Sequence, residues 1–270
     1  MIEFLDGQDL YNTIRLLLEG GSPRVLVVEG IEDWDLLVDF VEELPVELHA
    51  GYGKPTSLGA AVLAEADNAP VRFMFDADFD RLTGSASAYP STAFVTDLYD
   101  LTVDIAHRSP QILRRIARVN RVDSTGPAPD AQVALAYETA AEIGAVRFSS
   151  EVKAWSLNMA KFPSHLCLPS SANGVVDVER LISLAVSRTE SCLVALEVVR
   201  LEVPTLVRDI DRIRLVNGHD LLDALQHVSR SLAGGKSGLT YFHQFLLSVG
   251  ADELRAVPVV QQIEEWVTAA

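Results

Sequence analysis

Val71-Arg72-Phe73-Met74-Phe75-Asp76-Ala77-Asp78-Phe79-Asp80 decides the fold: a short, mainly apolar run that ends in alternating aspartates. Such a run of β-branched and aromatic residues reads as a buried strand. Some forty-five residues upstream, Val25-Leu26-Val27-Val28-Glu29-Gly30 repeats the pattern with a single glutamate at its end. Carboxylates released at the ends of buried strands lie at the lip of the sheet, where open α/β folds place their ligands. The two segments therefore predict one acidic edge, suited to a hard, oxygen-seeking cation.

Working outward, Leu10, Ile14, Leu17 and Leu18 have helical spacing, and Gly20, Gly21 and Pro23 close that helix before the first strand. Asp33 to Leu44 reads as a second helix, its acidic first turn matched to the positive helix N-terminus. A strand follows Pro45 at 46–49, and the turn Gly51-Tyr52-Gly53-Lys54-Pro55 leads into a helix expected from Thr56 or Ser57. After the strand 71–75 comes another at 92–96. The order is helix, then strand, helix, strand, helix, strand, strand. Such alternation predicts an α/β fold with a mostly parallel sheet flanked by helices.

Beyond about residue 107 the pattern becomes helical: 110–119, 130–143, 177–201, 204–213, 219–232 and 239–248, with short strands expected at 146–149 and 155–159. This divides the chain into a sheet domain, 1–107, and a mainly helical subdomain, 108–270, packed on it.

The 270 residues carry 22 basic and 38 acidic side chains, a formal charge of −16, and 49% are apolar. That balance excludes a protein whose whole surface binds polyanions, since such affinity comes from Lys and Arg. It leaves room for a local basic strip, and Arg114, Arg115, Arg118 and Arg121 supply one, three of them at helical spacing. Two cysteines, Cys167 and Cys192, no signal-peptide pattern and no apolar run of ~20 residues lead to a cytoplasmic expectation, without a membrane span.

In Asp76-Ala77-Asp78 the two carboxylates are two residues apart, on one face of an extended chain, and so make a two-pronged grip on one metal. Mg²⁺, or Mn²⁺ in its place, is the fitting ion, because it takes one or two carboxylates and keeps waters and substrate phosphate. Asp80 continues the alternation as an outer or second-metal ligand. Glu29 arrives from the neighbouring strand as ligand or as proton acceptor. Asp33 reads as a first-turn acid or an outer partner. Asp97 and Asp100, after the next strand, are further candidates for the acidic cluster. Lys54 and Arg81 read as phosphate-binding cations, or as a solvated loop lysine and an internal ion pair. Gly234-Gly235-Lys236-Ser237 has no glycine at 230 and follows a helix, which excludes a P-loop.

The Val-Val-Glu-Gly strand end, the later Asp-x-Asp and the helix between them resemble the TOPRIM domain of topoisomerases, bacterial primases and overcoming-lysogenisation-type nucleases. Glu29-Gly30-Ile31-Glu32-Asp33, Asp76 to Asp80, Phe94 to Leu101 and Asn217 to Leu222 narrow the resemblance to a TOPRIM family of unknown function linked to anti-phage defence. That family includes nuclease effectors held by a partner ATPase, as in the PARIS system. The resemblance covers roughly residues 22–105. It implies a metal site of Glu29, Asp76 and Asp78, and hydrolysis of phosphodiester bonds in DNA or RNA, controlled by a partner ATPase. Family members usually carry Glu-Asn where Thr102-Val103 stands here, and many carry Lys in place of His219. The alternatives are a non-catalytic regulatory or scaffold protein on the same fold and, disfavoured by the position of Glu29, a nucleotide-sugar transferase. Homo-oligomerisation is left open.

Overall fold

The computed structural model describes residues 6–121, 126–168, 176–190, 194–234 and 239–269. The chain divides into two compact units, one running to Ser109 and resuming at Val249, the other Pro110–Ser248.

The first unit is built on four parallel strands, β1 (Val25–Val28), β2 (Glu47–Ala50), β3 (Val71–Phe75) and β4 (Ala93–Val95), in the order β2-β1-β3-β4. All four residues of β1 are buried, as a central strand covered on both faces requires. One face carries α1 (Gly7–Glu19) and α3 (Lys54–Ala66). There Leu10, Tyr11, Ile14, Ala60, Ala61 and Ala64 close over Val25, Val27, Val71, Phe73 and Phe75. Each large side chain so buried contributes roughly 1.5–3 kcal/mol. Asp6 starts α1 by accepting the Gln8 and Asp9 amides. The helix α2 (Ile31–Val41) buries Leu36, Leu37, Phe40 and Val41 and packs on β1 and β2.

Two features of this unit differ from the sequence reading. The expected strand–strand step before β4 contains α4 (Asp80–Thr83) and a 3-10 turn at Ser85–Ala88. Parallel neighbours need a crossover, and this short one supplies it. The boundary expected at 107 falls at 109, and the chain from Val249 belongs with the sheet rather than with the helical part. The reason lies in α13 (Pro258–Thr268), whose Val259, Val260, Ile263 and Val267 are buried and which packs on β4. Phe94 and Trp266 meet edge to face, and Arg24, just before β1, donates to the carbonyls of Trp266 and Val267. A guanidinium on the last carbonyls of a helix also complements its dipole.

α5 (Leu101–Arg108) closes the first stretch of this unit, and α12 (Ala251–Arg255) precedes α13. The second unit holds α6 (Gln111–Asn120), α7 (Pro129–Val152), α8 (Val178–Ser187), α9 (Leu196–Leu206), α10 (Gly218–Ala233) and α11 (Tyr241–Leu246). Around α7 pack α6, α8, α9 and α10. The strand expected at 146–149 is the last part of α7, and 155–159 forms no strand. A short apolar run has no periodicity that separates strand from buried helix, and here Ile143, Val146, Ser149 and Ser150 continue the buried face. The single helix expected over 177–201 is two helices, and the helix expected from Pro204 is the end of α9, with only a 3-10 turn, Arg212–Leu215, after it. Gly234 ends α10 in the left-handed conformation (φ 63°); the remainder of the Gly-Gly-Lys-Ser motif, like Cys192, lies outside the described residues. Among the described residues no helix is long and apolar enough to cross a membrane.

Candidate functional site

Register sets the site. Val28 lies beside Ala50 and Met74, and Phe75 beside Val95. The residues that follow these positions, Glu29, Gly51, Asp76 and Thr96, therefore leave the sheet at its carboxyl edge. Gly51 donates its amide to the Val28 carbonyl at 2.7 Å, and a Cβ there would come within 2.9 Å of that oxygen. Gly53, at φ 87°, turns the chain so that α3 begins at Lys54 rather than at Thr56 or Ser57. Lys54 is thus a first-turn helix residue aimed back over the sheet edge, not a solvated loop lysine.

Asp76 is the centre of the acidic edge. Its Oδ1 accepts the Leu101 amide at 3.3 Å. Burial, and then the charges of Asp33, Asp100, Glu29 and Asp78, raise its carboxyl well above the ordinary range. Asp33, in the first turn of α2, accepts the Gly30 amide at 3.2 Å. Burial, against the pull of that amide and with the charges of Glu29, Asp100 and Glu32 added, pushes it up to about 7. Glu29 is raised by burial and by Asp78, while Lys54 and the Asp76 amide pull the other way. Its Oε2 is buried with no hydrogen-bond partner. Asp100 is buried and caps α5 through the Val103 amide at 2.8 Å. Asp33 and Asp76 each feel the charges of Glu29 and Asp100, so Asp33 lies within the acidic cluster as well as in the first turn of α2.

Asp78 and Asp80 turn to Lys54. Its Nζ donates to Asp78 Oδ2 at 2.7 Å, Asp80 Oδ2 at 2.8 Å and the Asp76 carbonyl at 2.9 Å. Asp78 holds φ 46°, and its amide reaches the Tyr99 carbonyl at 2.8 Å. That left-handed residue is a local strain of the kind that clusters at functional sites. The Tyr89 hydroxyl donates to Asp80 Oδ2 at 2.6 Å. Burial acts to raise Asp80, but the Lys54 and Tyr89 hydrogen bonds outweigh it and lower the carboxyl. Burial alone would lower Lys54, yet Asp78, Asp80 and the neighbouring Tyr89 hold the ammonium above the usual lysine range.

Two candidates stand apart from the cluster. Arg81 donates to the carbonyls of Thr96 (2.6 Å) and Val95 (2.9 Å) and lies 3.7 Å from Asp97, so it ties down the end of β4 and makes the internal ion pair. Asp97 is shared between Arg81 and Arg108, at 3.7 and 3.6 Å. Its charge is met there.

Sequence reading passed over three residues. Thr96, fully buried, accepts the Ala77 amide at 2.8 Å and donates to the Leu98 carbonyl at 3.1 Å, which fixes the bend between Asp76 and Asp78. Asp104 accepts the amides of Asp97 and Leu98 at 2.9 and 3.0 Å, and burial pushes it up to about 6. Tyr89 holds Asp80. Only Asp104 left a signal, an acid four residues after Asp100 on the same helix face. Thr102, where the resembled family carries an acid, is buried in α5.

A hard divalent cation fits the chemistry of this edge: its acidic side chains are all carboxylates, and Glu29 presents a buried oxygen with no hydrogen-bond partner. Among the described residues, however, no three His, Cys, Asp or Glu side chains already stand in a metal-holding arrangement. Comparison with protein-family models, with curated proteins and with solved structures finds no match to this chain.

Proposed function

We propose that the acidic edge is the catalytic centre of a divalent-metal-dependent hydrolase of TOPRIM type, cleaving phosphodiester bonds in nucleic acid. The observation that carries the reading is the buried, partnerless Glu29 oxygen at an edge where Asp33 and Asp76 are raised by burial and by the charges of acidic neighbours, Glu29 and Asp100 among them. Such crowding costs stability in the free protein and is relieved by a cation. Glu29 and Asp76 would hold the ion, with Asp33 and Asp100 behind them. Mg²⁺ or Mn²⁺ bound there supplies Lewis-acid stabilisation of charge on a phosphoryl group. Glu29, its carboxyl raised, accepts the proton of the attacking water. The Leu101 amide keeps Asp76 in place, and Asp33 and Asp100 add to the negative field that would draw a cation.

The substrate's negative charge bears on where it is gripped. The sheet unit has 24 acidic and 7 basic residues, and Pro110–Ser248 has 14 and 15. In the latter, Arg114, Arg115 and Arg118 line the exposed face of α6, whose opposite face buries Ile112, Leu113, Ile116 and Ala117. This strip supports phosphate binding there. The defence role and the partner ATPase extend the proposal from the family resemblance alone, and the cytoplasmic setting extends it from cysteine usage.

The test is incubation of the purified protein with plasmid, single-stranded DNA and tRNA in Mg²⁺ or Mn²⁺. Cleavage by the wild type that is lost in Glu29→Gln and in Asp76→Asn supports the reading; cleavage that survives both substitutions overturns it. A second reading, a TOPRIM-fold regulator without turnover, is favoured by one observation, the ion pairing of Asp78 and Asp80 to Lys54. Calorimetry decides between them: Mn²⁺ binding supports the hydrolase, and its absence supports the regulator.

A further inference from the structure

Lys54 is the only lysine in the sheet unit, and it is placed where its charge counts most. An ammonium has three N–H donors. Here three oxygens, Asp78 Oδ2, Asp80 Oδ2 and the Asp76 carbonyl, take them at 2.7, 2.8 and 2.9 Å. In this arrangement all three are turned to the chain's own oxygens rather than outward to a substrate phosphate. The side chain is only 18% exposed, and its Nζ lies 5.6 Å from the centre of the Tyr89 ring. Tyr89 in turn fixes Asp80 through its hydroxyl. Helix start, aromatic ring and three acceptors together hold the ammonium in one place.

Two carboxylates and a carbonyl are the donor types that a hard divalent cation takes. In carboxylate-rich phosphoryl-transfer sites a second ion, about 3.5–4 Å from the first, completes a two-metal clamp. We propose that Lys54 is a built-in counter-cation filling that second seat, so that the acidic edge accepts one divalent ion, on the Glu29 and Asp76 side, and never two. The inference rests on the metal reading of the preceding subsection and adds the number of ions and the residue that sets it. Asp78 and Asp80 then act by holding Lys54, and Lys54 is a positioning residue.

The experiment is Mn²⁺ titration of the full chain at pH 7.5, with free ion counted by electron paramagnetic resonance. The wild type is expected to bind one ion. Lys54→Met is expected to bind two, and Lys54→Met with Asp80→Asn to return to one. Two ions on the wild type, or one on a folded Lys54→Met, overturns the proposal while leaving the metal reading intact. No ion on the wild type overturns both. If Lys54→Met does not fold, as judged by circular dichroism, the wild-type background still decides. Asp80→Asn is expected to keep its ion, while Glu29→Gln is expected to lose it. Loss of the ion in Asp80→Asn overturns the proposal.

Discussion

Asp104 Oδ1 accepts the Leu98 backbone amide at 3.0 Å, reaching back from α5 to the loop that leads into it. Its other oxygen takes the Asp97 amide at 2.9 Å, so one carboxylate ties the loop after β4 to the helix. Leu98 and Asp104 are both buried, and water cannot replace the missing acceptor. Asp104→Ala should therefore cost about 2–4 kcal/mol, the sum of a charge-assisted bond removed and an amide left unpaired. Urea denaturation measures this, and an unchanged midpoint would show that the tie contributes nothing.

The raised carboxyls set a pH dependence of unusual sign. Glu29, Asp33 (about 7), Asp76 and Asp104 (about 6) all have folded values above their unfolded ones. The folded state then binds more protons than the unfolded state over this range, and stability falls as pH rises through the folded values. In EDTA, the urea midpoint should be higher at pH 5.5 than at pH 8. Added Mn²⁺ should stabilise most at pH 8, where no proton competes for the same oxygens. A metal-free midpoint that climbs from pH 5.5 to 8 would contradict the assignment.

Asp76→Asn separates stability from activity. The amide oxygen can still accept from Leu101, and one of the crowded charges is gone. The metal-free variant should melt above the wild type, by roughly 1 kcal/mol in unfolding free energy, as when a strained functional group is neutralised. Nucleic-acid cleavage should fall by more than about a hundredfold, the upper end of what removal of an outer-shell partner costs. A variant both less stable and fully active would remove Asp76 from the centre of the site.

On α6, the charges at 114, 115 and 118 repel one another along one face, which costs a few tenths of a kcal/mol per pair. Asp130 meets Arg114 at 2.6 Å, which leaves the other two to the solvent-exposed face. Arg115→Glu with Arg118→Glu should weaken oligonucleotide binding and lower the salt slope by about two, one for each phosphate no longer neutralised. Fluorescence anisotropy across a salt series reads both quantities. An unchanged slope would mean that the strip touches no phosphate.

Much of the sheet was legible because β1 and β3 are buried on both faces, so their apolar runs stop where the sheet stops. That is why Glu29 and Asp76 could be placed at one edge from spacing alone. The company kept by Asp78 was not legible. Whether an Asp-x-Asp points at a vacant seat or at a lysine depends on Gly53 turning α3 early, a backbone conformation that leaves only a glycine as its trace. Thr96 was passed over because it binds backbone, which leaves no pattern of side-chain types; Asp104 binds backbone too, and its place four residues after Asp100 was its one trace. The strand expected at 146–149 failed because complete burial erases the alternation that distinguishes strand from helix. The attachment of α13 to β4 joins positions separated by most of the chain, and no local signal announces it.

That attachment has a consequence for synthesis. β1 begins beside Arg24, whose guanidinium is satisfied by carbonyls some 240 positions later, with the whole of Pro110–Ser248 emerging in between. On the ribosome the acidic edge exists early as sequence, while the strand bordering it, β4, still lacks its cover. An unfinished chain would carry the crowded carboxylates without the completed support behind them. Only once residues 258–268 have been made can α13 close over β4 and complete the sheet unit.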